Sequence, residues 1–130
     1  MNTEISVKSR SKNEFINITQ EVQNVVNKSG IKDGVCYIFV PHTTAGITIN
    51  EAADPDVVED IQRQLDKIAP ADGNYRHAEG NSDAHIKTSI TGSSQTVFIE
   101  NGRLKLGTWQ GIFFCEFDGA RNRKVWVKIV

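Results

Sequence analysis

The chain has 130 residues, 38% of them hydrophobic, and fifteen Lys and Arg against sixteen Asp and Glu give a formal net charge of -1. That length holds one domain with a real core, and no run approaches the ~20 apolar residues that span a bilayer, so no membrane partner is expected. Near-neutrality argues against a domain that neutralises many phosphates along a nucleic acid, while a small anionic ligand stays open.

The opening stretch MNTEISVKSRSK lacks the roughly 7 to 15 residue apolar core of a secretory signal, which makes the cytoplasm the expected compartment. Thr3 to Lys8 alternates weakly, with Ile5 and Val7 inward, and predicts a first strand. Ile18, Val22, Val25 and Val26 then share one helical face and meet Gly30, which predicts a helix over about Thr19 to Ser29. Asp33-Gly34 turns the chain into Val35 to Val40, apolar or aromatic throughout and so expected to be a buried strand. His42 follows where that strand leaves the core, and Ile47 and Ile49 alternate with Thr48 and Asn50 as a short strand. Asp54-Pro55 is a helix start, because Asp accepts orphan N–H bonds at the N-cap and Pro at the first helical position loses no bond. Val57, Val58, Ile61, Leu65 and Ile68 continue that helix until Pro70.

Pro70 to Asp83 reads PADGNYRHAEGNSD, too poor in apolar residues to bury a face, and is expected to be a surface loop; loops of this length are often functional. Ala84 to Ile90 offers one or two helical turns or an irregular segment, broken at Thr91-Gly92-Ser93-Ser94. The remainder reads as β. Thr96–Glu100 and Leu104–Leu106 flank Asn101-Gly102, suited to a type I′ hairpin turn. Ile112–Phe117 and Val125–Val130 flank Asp118-Gly119, which predicts a second, longer hairpin. No repeat, low-complexity segment or linker divides the chain. The fold class expected is α+β and β-rich, an antiparallel sandwich or barrel-like sheet with two to three flanking helices, in a single domain over residues 1–130.

Two cysteines, Cys36 and Cys115, lie far apart in apolar strand-like runs and read as buried reduced thiols. The three histidines lie elsewhere: His42 at a strand exit, His77 and His85 bracketing the polar loop. Neutral imidazoles from several segments can build an open zinc-type site, or perform acid–base work near neutral pH, or be unrelated surface groups; the spacing contains no HxxxH or HExxH and leaves the three readings open. Glu51, Asp54, Glu79 and Asp83 are near enough in sequence to orient an imidazole, although N-capping accounts for Asp54. Glu51 and Asn50 have no such structural explanation. Thr91–Ser94 could wrap an anion, and the basic cluster Arg121, Arg123 and Lys124 could meet a phosphate; a plain turn and a solvated hairpin end explain them equally. In Gly107-Thr108-Trp109-Gln110-Gly111, a tight bend explains the glycines and burial the Trp.

Three segments, PHTTAGITINEAADPDVVEDI, GNYRHAEGNSDAHIKTSITGSS and NGRLKLGTWQGIFFCEFDGARNRKV, together resemble the YjbQ-like family, whose members are described as secondary thiamine-phosphate synthases. The resemblance covers almost the whole chain, and HTTA with the following NE, the Ala84-His85 pair and LGTWQ are its most specific pieces. One departure is TVFIEN, where the family often has Pro before the NG turn. The resemblance implies a β-rich domain that forms homotrimers, with a pocket where the histidine segments converge. It places His42, His77 and His85 on motif positions and so favours a shared site, in which the three are expected to be ligands of a divalent metal such as zinc or catalytic groups together with Glu51. It further implies an enzyme on a small, phosphorylated substrate, with weak transferase activity joining a pyrimidine pyrophosphate to a thiazole phosphate. The chain has no Walker-type loop or DDxxD-like cluster to hold pyrophosphate. A metal-dependent hydrolase and a non-catalytic ligand-binding trimer are the alternatives.

Overall fold

The computed structural model describes residues 2–130. Its elements run β1 (Asn2–Lys8), β2 (Glu14–Asn17), α1 (Thr19–Ser29), β3 (Asp33–Phe39), β4 (Ala45–Glu51), α2 (Pro55–Ile68), α3 (Ser82–Thr91), β5 (Ser94–Glu100), β6 (Arg103–Leu104), β7 (Gln110–Glu116) and β8 (Asn122–Ile129). The strands form a five-stranded antiparallel sheet in the order β1-β8-β3-β5-β6 and a three-stranded antiparallel sheet β2-β7-β4. The fold is therefore α+β and β-rich, as the alternation of apolar residues implies.

The three-stranded sheet is covered on both faces. On one side Ile47, Ile112 and Phe114 meet the inner face of the larger sheet and α1, through Ile38, Val97, Val125 and Val22. On the other, Phe113, Cys115 and Phe117 pack with Leu65 and Ala84 from α2 and α3. Sandwiching between two apolar layers is why β7 reads as an unbroken apolar run rather than an alternating one.

That arrangement corrects two expectations. β7 and β8 do not form a hairpin: β7 pairs with β2 and β4, β8 with β1 and β3, and residues 117–121 carry the chain from one sheet to the other. Gly119 sits in this crossing so close to the β1–β2 loop that an added Cβ would lie 2.2 Å from the Ser11 carbonyl oxygen, so a side chain there is excluded. β3, in turn, is buried on one face only, for Cys36 and Ile38 point inward while Tyr37 and Phe39 are exposed. The apolar run hides an outward aromatic face that periodicity alone cannot distinguish from a buried one.

Elsewhere the sequence is followed closely. α1 occupies Thr19–Ser29 and ends on Gly30 at φ 71, the left-handed cap position that glycine adopts without a Cβ clash. Asp54 caps α2, its Oδ1 accepting the Asp56 N–H at 3.0 Å. Asn101 and Gly102 both take positive φ in the β5–β6 turn. β2 was not anticipated, and α3 is a full helix of ten residues that begins inside the expected loop. No described helix is long and apolar enough to cross a membrane.

Candidate functional site

One end of the sandwich gathers the polar chemistry. Arg123 from β8 and Glu116 from β7 point into the gap between the sheets, where both are buried, and join through Nε–Oε1 at 2.9 Å and Nη2–Oε2 at 2.5 Å. Ser9 donates its hydroxyl to Glu116 Oε1 at 2.7 Å, and the Asp118 N–H reaches Glu116 Oε2 at 3.0 Å. Arg123 Nη2 also donates to the Thr44 hydroxyl at 2.9 Å. Burial alone would raise the Glu116 carboxyl, but its hydrogen bonds from Arg123, Ser9 and Asp118 and the Arg123 charge outweigh that and hold it below the usual range. The network fastens the β1–β2 loop, the start of β4 and the β7–β8 crossing to one another.

Above it, α3 and the segment before it bring His77 and His85 together, with ring centroids 5.5 Å apart in an edge-to-face contact. A cavity of about 540 Å³ opens beside them, lined by His77 and His85, Thr43 and Thr44, Gly80 and Asn81, Glu79, Asp118 and Arg121. Among the described residues no side chain caps the α3 N-terminus; the Asn81 amide donates through Nδ2 to Asp118 Oδ2 at 3.0 Å, and its Oδ1 is buried without a partner. Arg121 is braced by donating Nε to the Asp118 carbonyl and Nη2 to its carboxylate. Of its five N–H groups those two are engaged, leaving three for a ligand. Asp83, fully buried at the start of α3, pairs with Lys12, which anchors the helix to the β1–β2 loop.

His42 stands apart from this pair. Its Nε2 accepts the Lys124 N–H at 2.9 Å, so that nitrogen is unprotonated and Nδ1 carries the hydrogen in the neutral ring. Partial burial and the nearby Arg123 charge lower its pKa below the ordinary histidine value. His42 lines a second cavity of about 530 Å³ together with Thr43, His85, Thr88, Ser89, Gly92 and Ser93. Thr43 and His85 belong to both cavities, so His85 stands between the other two histidines.

Glu51 is not brought to the histidines. β4 separates Glu51 from the His42 loop, and from Ala45 to Glu51 the strand spans about 20 Å. Its carboxylate accepts the Ala53 N–H at 2.9 Å, a local turn that gives the side chain a structural use, and Asn50 does likewise for the Glu51 N–H. Nor do the three histidines form a ready metal centre in one chain. Among the described residues no group of three His, Cys, Asp or Glu side chains stands close enough to hold an ion. For His42 the donor chemistry agrees: ligation through Nε2 would displace the Lys124 N–H. Both cysteines are buried free thiols, and burial pushes Cys36 up to about 11 and Cys115 higher still.

Of the basic cluster after the Asp118-Gly119 turn, Arg121 lines the cavity, whereas Arg123 is the buried partner of Glu116. Thr43, Asn81 and Asp118 carried no signal of their own beyond adjacency to His42, the polar loop and the expected turn.

A family model described as "UPF0047 protein YjbQ-like" matches residues 3–130. The chain belongs to that family. It is 52% identical to UPF0047 protein MJ1081 of Methanocaldococcus jannaschii over 95% of this chain and 90% of the relative. It is 51% identical to UPF0047 protein YugU of Bacillus subtilis, over 97% and 96%. The fold superimposes on a crystal structure from Clostridium acetobutylicum, described as an uncharacterized conserved protein of the YjbQ/UPF0047 family, with a TM-score of 0.97 at 60% identity, covering 98% of this chain and 99% of the other. A YbjQ-like protein of unknown function from Sulfolobus solfataricus gives 0.95 at 35% identity, over 99% and 95%.

Proposed function

We propose that this family member is an enzyme that binds a small phosphorylated metabolite in the cleft between the His42 loop, the α3 N-terminus and the β7–β8 crossing, and uses His85 for acid–base work on it. The observation that carries this reading is the convergence of Arg121, with three N–H groups to spare, and the His77–His85 pair on one polar cavity of about 540 Å³. A phosphate oxygen is a natural acceptor for a braced guanidinium and for the uncapped N–H groups of a helix start. An imidazole beside it can give or take a proton at neutral pH. His85 has the position for this role, since it faces both cavities. His77, paired edge-on with it and 3.9 Å from Glu79, orients that ring.

The transferase chemistry implied by the resemblance would need groups to hold departing pyrophosphate. Arg121 and the helix start supply part of such a cradle. A zinc ion on the histidines would require His42 to release the Lys124 N–H, or a ligand from a second copy, so no step is routed through a metal.

A trimer is the proposed assembly. The outer face of the five-stranded sheet exposes Tyr37, Phe39, Phe98 and Trp126, with Phe39 stacked on Trp126 at 5.9 Å between centroids. An exposed aromatic face of this kind marks an association surface, and in a ring of three it would meet a second, different patch of the neighbouring copy. Light scattering at micromolar concentration should give three chain masses; a monomer would contradict it.

The enzyme reading is tested by incubating the protein with a panel of phosphate monoesters and following 31P spectra. Turnover of at least one ester, lost in His85→Ala with the fold retained, is expected. Saturable broadening without new resonances would replace the enzyme by a binding module.

A further inference from the structure

Two segments have no part in the histidine cleft, Asn50-Glu51 and the Gly107–Gly111 turn, and the fold puts them together at the opposite end of the three-stranded sheet. β4 begins beside the His42 loop and ends at Glu51, with Glu51 opposite Gln110 and Asn50 opposite Gly111 in the β4–β7 register. The turn is braced in several places. Gln110 Oε1 accepts the Gly107 N–H at 2.8 Å, the Gln110 N–H reaches the Gly107 carbonyl at 3.1 Å, and the Trp109 carbonyl accepts the Ala52 N–H at 2.8 Å. A Cβ on Gly111 would lie 2.6 Å from the Ala52 Cβ, so the turn and the end of β4 are in close contact. Yet Trp109, for which the sequence suggested burial, is 64% exposed.

A fixed backbone that holds a tryptophan in water forgoes most of the burial, about 150–250 Å² for a large aromatic, that such a side chain ordinarily provides. Tryptophans presented in this way are the residues that anchor protein interfaces. A matching surface lies on the outer face of the five-stranded sheet, where a groove of about 510 Å³ runs between β1, β3 and β8, lined among others by Glu4, Tyr37, Phe39, Trp126 and Lys128. Its aromatic residues offer ring faces and edges against which an indole packs well. The charges are complementary too. Among the described residues Lys128 has no ion-pair partner, and the segment to which Trp109 is bonded carries three carboxylates, Glu51, Asp54 and Asp56, none of them paired with a cation. Trp109 precedes β7 in the other sheet and is not part of the groove's lining, so the two surfaces of one chain do not meet each other.

The geometry points to a head-to-tail contact between copies of this chain, in which Trp109 of one copy inserts into the Tyr37–Phe39–Trp126 groove of the next and brings its acidic segment to Lys128. This rests on the trimer reading above and adds the second patch that the aromatic face meets. Knob and groove are different surfaces, so the contact is heterologous, and every copy in a closed ring uses both. Glu51 supports the knob from behind: its carboxylate holds the Ala53 N–H at 2.9 Å, next to the Ala52 N–H that fixes Trp109.

Sedimentation equilibrium on two variants and their mixture tests the contact. Trp109→Ala removes the knob and keeps the groove; Tyr37→Arg obstructs the groove and keeps the knob. Both side chains are exposed, and circular dichroism establishes that both variants fold. Each alone is expected to dissociate at least about 30-fold more readily than wild type, the effect of losing an interfacial anchor. Trp109→Phe, which keeps an aromatic ring, should lose less than Trp109→Ala. Mixed in equal amounts, at concentrations where neither associates alone, the two variants should form a one-to-one dimer, because one supplies an intact groove and the other an intact knob. A Trp109→Ala protein that assembles as wild type does, or a mixture no heavier than its components, overturns the head-to-tail contact and leaves the trimer in place. Wild type that stays monomeric at micromolar concentration removes both readings together.

Discussion

The Arg123–Glu116 pair should be the most costly polar contact in the protein to break from one side. Arg123 is 4% exposed and Glu116 0%, and each spends its hydrogen-bonding groups on the other, on Ser9 and on Thr44. Arg123→Met keeps much of the side-chain bulk but leaves a buried carboxylate that has lost its cation. Removing one partner of a buried pair costs about 3–5 kcal/mol. For a domain of this size the entropy of unfolding is about 0.27 kcal/mol/K at ~2.1 cal/mol/K per residue, so the melting temperature should fall by about 11–18 °C. Glu116→Gln should cost less, because the amide retains an acceptor for Ser9 or Arg123. The double variant Arg123→Met/Glu116→Gln should be more stable than the sum of the single losses requires, with a coupling of at least ~1 kcal/mol. Urea unfolding of the four proteins supplies the cycle. Additive losses, or a fall below ~1 kcal/mol in Arg123→Met, would refute the claim that this pair joins the sheets.

His42 should titrate below the ordinary histidine value of 6.5, followed by its ring proton resonances. Its folded pKa is depressed, so the unfolded state takes up the proton first, and stability should decline as pH falls below 6.5 until the folded ring also protonates. Glu116, depressed below 4.5, should add a second loss at lower pH, from 4.5 down through its folded pKa, which Glu116→Gln should not show in the unfolding midpoint. Cys36 and Cys115 should resist a thiol reagent in the native protein and react as two groups per chain in denaturant, since burial lifts Cys36 to about 11 and Cys115 further. Exhaustive chelation should leave phosphate affinity unchanged; a loss restored by zinc would return the histidines to metal binding.

How much of this was legible in the sequence follows the range of the interactions. Caps and turns are local: Asp54-Pro55, Gly30 and Asn101-Gly102 each carry their geometry in two or three residues, and the structure agrees at all three. The β7–β8 connection is not local. Asp118-Gly119 between two apolar runs looks like a hairpin turn, and what decides otherwise is that β7 has apolar layers on both faces and two partners already. β3 misled in the opposite sense, because outward Tyr37 and Phe39 are as apolar as inward Cys36 and Ile38. In the site, His77 and His85 stand side by side, which the family resemblance implied and their spacing left open, whereas Glu51 is near His42 in number and a full strand away in space. Arg121 and Arg123 are two residues apart, one at the cleft and one buried between the sheets, a distinction set by the sheet crossing.

The central claim, a phosphate group held between Arg121 and the His77–His85 pair, is tested most directly by the imidazole 15N resonances during titration with inorganic phosphate. Saturable shifts at His77 and His85 are expected, absent or strongly weakened in Arg121→Gln. Unmoved resonances at saturating phosphate, or the same shifts in Arg121→Gln, would contradict it.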